Sequence, residues 1–202
     1  STAHIAAYAS GLMPSYAALF ATNTFGKAVA VSATSGADGT VQSIYGTIAA
    51  AITNAANDAT LQVYAGTYAE NIVVNKPLTI VGAGNGADAT TNTVIAPASG
   101  TGFTVAANNV TLRGMRVAGV NKLSGNNGVY VDSAISNLTL RELTVIGQSY
   151  AIEIHNSAVV SGLTLTDMQV VSNTVGLRTA TTGAANTVTI TGSAFDYNDY
   201  GW

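Results

Sequence analysis

Four segments of the sequence superimpose on one another: Val110-Thr-Leu-Arg-Gly-Met-Arg-Val117, Leu138-Thr-Leu-Arg-Glu-Leu-Thr-Val145, Leu163-Thr-Leu-Thr-Asp-Met-Gln-Val170 and Val188-Thr-Ile-Thr-Gly-Ser-Ala-Phe195. Their first residues lie 28, 25 and 25 positions apart. Each is preceded by a shorter element: Gly102-Phe-Thr-Val105, Gly128-Val-Tyr-Val131, Ala151-Ile-Glu-Ile154 and Gly176-Leu-Arg-Thr179. Within these elements apolar and polar residues alternate, so Phe103, Val105, Val129, Val131, Ile152, Ile154 and Leu177 point one way, while Thr104, Tyr130, Glu153 and Arg178 point the other. That is the period of a strand. A unit this short without a helix-length segment is neither a helical-pair repeat nor a propeller blade, which leaves a parallel β-solenoid whose coils bury a shared apolar ladder. Asn109 and Asn137 stand at equivalent places before their strands, where Asn turns the chain and tolerates unusual backbone angles.

The N-terminal half follows a different pattern. From Val41 to Asn57 the residues Ile44, Ile48, Ala51, Ile52 and Ala55 recur at helical spacing, which predicts an amphipathic helix. A solenoid end exposes backbone donors and apolar core, so this helix is expected to cap it. Thr60-Leu-Gln-Val-Tyr64, Asn71-Ile-Val-Val74, Leu78-Thr-Ile-Val81 and Thr93-Val-Ile95 then form the first coils, with Gly and Pro between them. The expected fold is all-β, a right-handed parallel β-helix of roughly 25-residue coils with an N-terminal capping α-helix. It divides into an apolar segment over 1–40, the helix over 41–57 and the β-helix over 58–202.

Composition narrows the partners. Of 202 residues only 8% are charged, with a net charge of −3, whereas an average domain carries roughly a quarter. The seven bases form no cluster along the sequence, so neither nucleic acid nor an anionic membrane surface is an expected partner. No apolar run reaches the roughly 20 residues of a membrane span. With no cysteine, disulfides and thiolate metal sites are excluded. Ser1 to Phe20 lacks a basic leader region but fits a chain from which a signal peptide has been removed, and the expected location is extracellular or cell-surface.

The stretch Ile48 to Gly84, and within it Val63-Tyr-Ala-Gly66-Thr-Tyr68-Ala-Glu70-Asn71 and Leu78-Thr-Ile-Val-Gly82-Ala-Gly84, resembles the opening of the pectin lyase-like parallel β-helix proteins, pectin methylesterases above all. The resemblance covers residues 40 to 120 in detail and implies the fold, with Gly66 and Gly82 at tight corners and Tyr68 packed at one. It implies no enzyme. The Gly-Tyr-Gln-Asp and Asp-Phe-Ile-Phe-Gly motifs of the methylesterases are missing, as are the Gly-His-Gly of polygalacturonases and the Arg and calcium-binding aspartates of pectate lyases.

Stacked strands align Thr104, Tyr130, Glu153 and Arg178, with Asp132 and His155 beside them. As a functional site, Glu153 or Asp132 would serve as general acid/base, His155 as its partner and Arg178 as an oxyanion clamp, on a carbohydrate-binding face made by Tyr130, Asp132, Glu153, His155 and Arg178. The preferred reading is plainer: a cross-rung Glu153–Arg178 pair on a solvated face. A second column, Thr111, Thr139, Thr164 and Thr189, has the Thr-x-Thr form of β-helical ice-binding surfaces only at Thr164/Thr166 and Thr189/Thr191, because Arg113 and Arg141 interrupt it. Thr is favoured on exposed strands in any case. The Gly82–Asp88 loop is similar to acidic Gly-rich calcium repeats, yet one Asp is too few ligands, so no cofactor is expected and calcium is only a weak candidate.

Gly128, Gly176 and Gly201 occupy matching positions, so Gly201-Trp202 starts a coil that the sequence does not complete. Either the chain is a piece of a longer protein or another copy covers that edge. The apolar N-terminal residues Tyr8, Leu12, Met13, Tyr16, Leu19 and Phe20 either fold back as a further cap or dock on the Gly201-Trp202 end of a neighbour, a head-to-tail contact that builds a filament. The expected function is a non-catalytic extracellular structural subunit of filament, surface-layer or adhesin type, with itself as partner. A carbohydrate-binding or polysaccharide-degrading β-helix and a phage fibre or tailspike domain are the alternatives.

Overall fold

The computed structural model describes residues 29–32, 41–155, 158–179 and 187–201. The described chain enters through β1 (Val29–Ser32), β2 (Val41–Tyr45) and a short helix α1 (Ile48–Asn54), then winds into coils. The first coil is β3 (Ala59–Val63), β4 (Gly66–Tyr68) and β5 (Ile72–Val74), and the second is β6 (Leu78–Val81), β7 (Thr93–Ile95) and β8 (Phe103–Val105). In the third, β9 (Val110–Ala118) bends through a corner before β10 (Asn127–Val131), and in the fourth β11 (Ile135–Ile146) does the same before β12 (Tyr150–Ile154). The fifth is β13 (Val160–Thr166), β14 (Gln169–Val171) and β15 (Val175–Thr179), after which β16 (Val188–Thr191) and β17 (Ala194–Asp196) begin another. The molecule is a parallel β-solenoid of about 5 turns.

Its three faces follow from the pairing. Face one is β3, β6, the first half of β9, the first half of β11, β13 and β16. Face two is β4, β7, the second halves of β9 and β11, β14 and β17. Face three is β5, β8, β10, β12 and β15. All these contacts are parallel and in register, so identical side-chain parity recurs on every rung. Leu61, Ile80, Leu112, Leu140 and Leu165 therefore stack in one column, and all are fully buried. Tyr68, Ile95, Val117, Val145 and Val170 do the same on face two, and Ile72, Phe103, Val129, Ile152 and Leu177 on face three.

Corners are made by left-handed backbone. Asn109 and Asn137, both with φ of 56°, and Gly162 at 85° turn the chain onto face one, as the Asn pattern predicts, and Asn137 Nδ2 donates to Asn109 Oδ1 at 2.8 Å. A second such column, Gly114, Glu142, Asp167 and Gly192, turns face one into face two. At the third corner close approach decides. A Cβ on Gly128 would lie 2.4 Å from both the Ala151 carbonyl oxygen and Val145 Cγ1.

The cap differs from the expected helix over 41–57. Only Ile48–Asn54 is helical, while Val41–Tyr45 is a strand paired with β1. Its apolar residues Val41, Ile44 and Tyr45 keep helical spacing, yet the segment is a strand, because pairing with β1 satisfies a sheet edge that a longer helix would leave bare. β1 pairs antiparallel with both β2 and β3, so part of the cap is the chain's own segment before residue 40. The helix buries Ile48, Ala51 and Ile52 on the end of the core. Both of its ends are pinned from the first coil. Glu70 accepts from the Ile48 and Ala49 N–H groups at 3.1 Å each, and Lys76 Nζ donates to the Ile52, Thr53 and Ala55 carbonyls at 3.0, 2.8 and 2.9 Å. These charges match the helix dipole at each end.

Candidate functional site

Face three carries the polar column anticipated from the repeats. Register places Val73, Thr104, Tyr130, Glu153 and Arg178 on successive rungs of its outer side, with Asp132 and His155 directly after β10 and β12. The rings of Tyr130 and His155 lie 5.8 Å apart at an interplanar angle of 50°. Arg178 lies over the ring of Tyr150, its guanidinium carbon 5.0 Å from the centroid, a cation–π arrangement. All five residues of the expected face are thus brought together.

The environment of Glu153 is not the solvated one expected. The residue is only 4% exposed, although it points away from the core. A carboxylate so enclosed persists only when paired and hydrogen-bonded. Arg178 Nη1 donates to its Oε1 and Asn127 Nδ2 to its Oε2, both at 2.8 Å. The cross-rung pair exists, but it is an enclosed network rather than a surface ion pair. Both carboxylate oxygens of Glu153 are thus engaged within the protein. Asn127 Oδ1, buried beside it, has no hydrogen-bond partner. The Tyr130 phenol is pushed up from its ordinary value, first by burial and then by the negative charges of Asp132 and Glu153, with Arg178 opposing.

Beside this network lies an open depression of about 440 Å³, walled by Tyr150, Val175, Leu177, Arg178, Thr179 and Val188. It combines one guanidinium and one phenol with apolar walls. Among the described residues no group of three or more His, Asp or Glu side chains is placed to share a metal ion. In the Gly82–Asp88 loop, Asp88 Oδ1 accepts from the Thr90 N–H and Oγ1 at 2.9 and 2.7 Å. Those bonds hold the Asp88 carboxyl below its usual range. No described helix is long and apolar enough to cross a membrane.

The assembly residues Tyr8, Leu12, Met13, Tyr16, Leu19, Phe20 and Trp202 lie outside the described residues. Gly201 is described, and its carbonyl accepts from the Leu177 N–H at 3.0 Å. Sequence reasoning missed two arrangements. Glu70 and Lys76 pin the cap helix, although Glu70 stood inside the Gly66–Asn71 motif. Asn173 and Asn198 form an amide ladder along the backbone, in which Asn173 Oδ1 accepts from the Gln148 backbone N–H at 3.0 Å and Asn198 Oδ1 from the Asn173 backbone N–H and Nδ2 at 2.9 Å each. Their 25-residue spacing was a legible signal. Arg113 and Arg141, which the repeats already aligned, stand on adjacent rungs with Arg116 beyond the same corner, because β9 and β11 lie in register.

No family model matches this chain, and no curated protein and no solved structure matches it.

Proposed function

We propose that this chain is a non-catalytic structural module of an extracellular surface or filament-forming protein, akin to the pectin lyase-like β-helices, that assembles end to end with copies of itself. One observation carries the reading. β1 is antiparallel to both β2 and β3, so β2 runs in the same direction as β3 and every later strand of face one. β2 and β16 are the two ends of that sheet order. Pairing β16 of one copy with β2 of the next would continue the parallel sheet, and such a heterologous contact does not close. Among the described residues Ile190 stands at the end of the inward column, 37% exposed, while its register partner Leu165 is fully buried, so a substitution there probes the joint. The weakly charged exterior suits dense packing. Sedimentation and negative-stain electron microscopy over a concentration series should find fibres that Ile190→Lys abolishes while leaving the monomer folded. A protein that stays monomeric at every concentration sinks the proposal.

A second reading is favoured by the depression beside Tyr150 and Arg178, which has the aromatic and cationic lining of a carbohydrate subsite. Glycan-array binding that Tyr150→Ala removes would support it, and silence across neutral and acidic glycans would end it.

A further inference from the structure

Three of the chain's four arginines stand at a single corner, the one between faces one and two. Arg113 and Arg116 lie on either side of the Gly114 corner of β9, whose φ of 66° turns the strand, and both point outward because their neighbours Leu112, Met115 and Val117 are fully buried. Arg141 lies directly against Arg113 on the next rung. Parallel strands are about 4.8 Å apart, and like charges directly opposite destabilise a sheet. The arrangement therefore works against the fold unless something else holds it.

The other described cations are matched. Lys76 binds helix carbonyls, Lys122 pairs with Asp199 at 2.8 Å, Arg178 with Glu153 at 2.8 Å and Arg141 with Glu142 at 3.0 Å. Arg113 and Arg116 have no ion pair and no side-chain hydrogen bond among the described residues. The acids of this corner, Glu142 and Asp167, sit on the two rungs that follow, in the column that Gly114 begins. On the rung before, Val81 and Val94 oppose Arg113 and Arg116, and Asp88, the one acid of the loop that joins those two strands, accepts from the Thr90 N–H and hydroxyl. Thr111 and Thr139, two residues before Arg113 and Arg141, add stacked hydroxyls on the same outer face. Guanidinium forks beside hydroxyl donors match the geometry of an oxyanion.

The size of the patch selects the carrier. Duplex nucleic acid is held by about 6–10 phosphate contacts and an anionic membrane by clusters of about 4–8 basic residues, more than this corner offers on a chain of net charge −3. Two unpaired guanidiniums suffice for individual sulfate groups carried on a sugar polymer, each group taken by a guanidinium fork. We propose that Arg113 and Arg116, with Arg141 beside them held by Glu142, bind the sulfate groups of a sulfated polysaccharide at this corner. This surface is separate from face three and from the sheet edges invoked for assembly, and it stands or falls on its own.

The test is retention of the full chain on immobilised dextran sulfate at low ionic strength, with uncharged dextran, polygalacturonate and duplex DNA as parallel supports. Retention on dextran sulfate alone is expected, with affinity falling about tenfold or more in Arg113→Gln/Arg116→Gln, since a hydrogen bond to a charged group is worth about 1.5–3 kcal/mol. Lys122→Gln, which removes an exposed cation elsewhere, should bind as the parent does. Failure to bind dextran sulfate, equal retention on polygalacturonate or DNA, or an equal loss in Lys122→Gln would each overturn the assignment. Folding is checked separately: relief of the Arg113–Arg141 repulsion means that Arg113→Gln should not lower the thermal midpoint.

Discussion

A carboxylate on the outer side of a solenoid strand is ordinarily solvated, and Glu153 is instead enclosed between Arg178 and Asn127. Removing it leaves a guanidinium and a buried amide short of a partner, so Glu153→Ala should cost about 1–3 kcal/mol in thermal or denaturant unfolding. Glu153→Gln should cost less, because an amide oxygen still accepts one of the two bonds. Tyr130 offers a pH readout. Its phenol is raised above the ordinary value of 10.0, so the fold favours the protonated form. That contribution is fully present below pH 10 and is lost as pH climbs through the folded value, and Tyr130→Phe should remove this component from the alkaline unfolding curve. The strand alternation made the outward direction of Tyr130, Glu153 and Arg178 legible in advance. The enclosure of Glu153 was not legible, because Asn127 reaches it from the neighbouring rung and no local pattern encodes that contact.

At the scale of elements, the cap helix is too short to hold itself together. Seven residues fall below the length at which an isolated helix is stable, so tertiary contacts must hold it. Glu70→Ala frees two N–H groups and Lys76→Met three carbonyls, and each should lower stability by about 1 kcal/mol, with faster amide hydrogen exchange confined to α1 and its neighbours. The corner at Gly128 should be less forgiving. A methyl group there meets a backbone carbonyl and a packed valine, so Gly128→Ala should cost about 1–3 kcal/mol or more by the usual scale of overpacking, read from the melting curve. The helical spacing of Ile44, Ile48, Ala51, Ile52 and Ala55 extended the expected helix into β2, because Ile44 stands one helical turn before Ile48 and continues the same apolar stripe. What decided the boundary was the edge of β1, which β2 covers.

For the whole molecule, the decisive quantity is the direction of β2 relative to the solenoid. If β2 receives β16 of another copy, assembly should rise with protein concentration, resist salt because the joint is backbone pairing and apolar stacking, and vanish in Ile190→Lys. Light scattering against concentration distinguishes this from a salt-sensitive surface association. The sequence by itself determined the solenoid: a 25-residue step with strand alternation and small or left-handed corner residues leaves few other ways to bury one leucine column against the next. It also determined which residues share a rung, since parallel in-register pairing converts a sequence period directly into a spatial column. Tertiary structure alone decided how the ends and the exterior are used, namely the antiparallel β1–β2 cap, the pinning of α1 by Glu70 and Lys76 and the burial of Glu153. The physical reason is common to all of them. Each depends on contacts between side chains or edges on different coils, whose energies arise only after the ladder has brought distant residues within about 5 Å of one another.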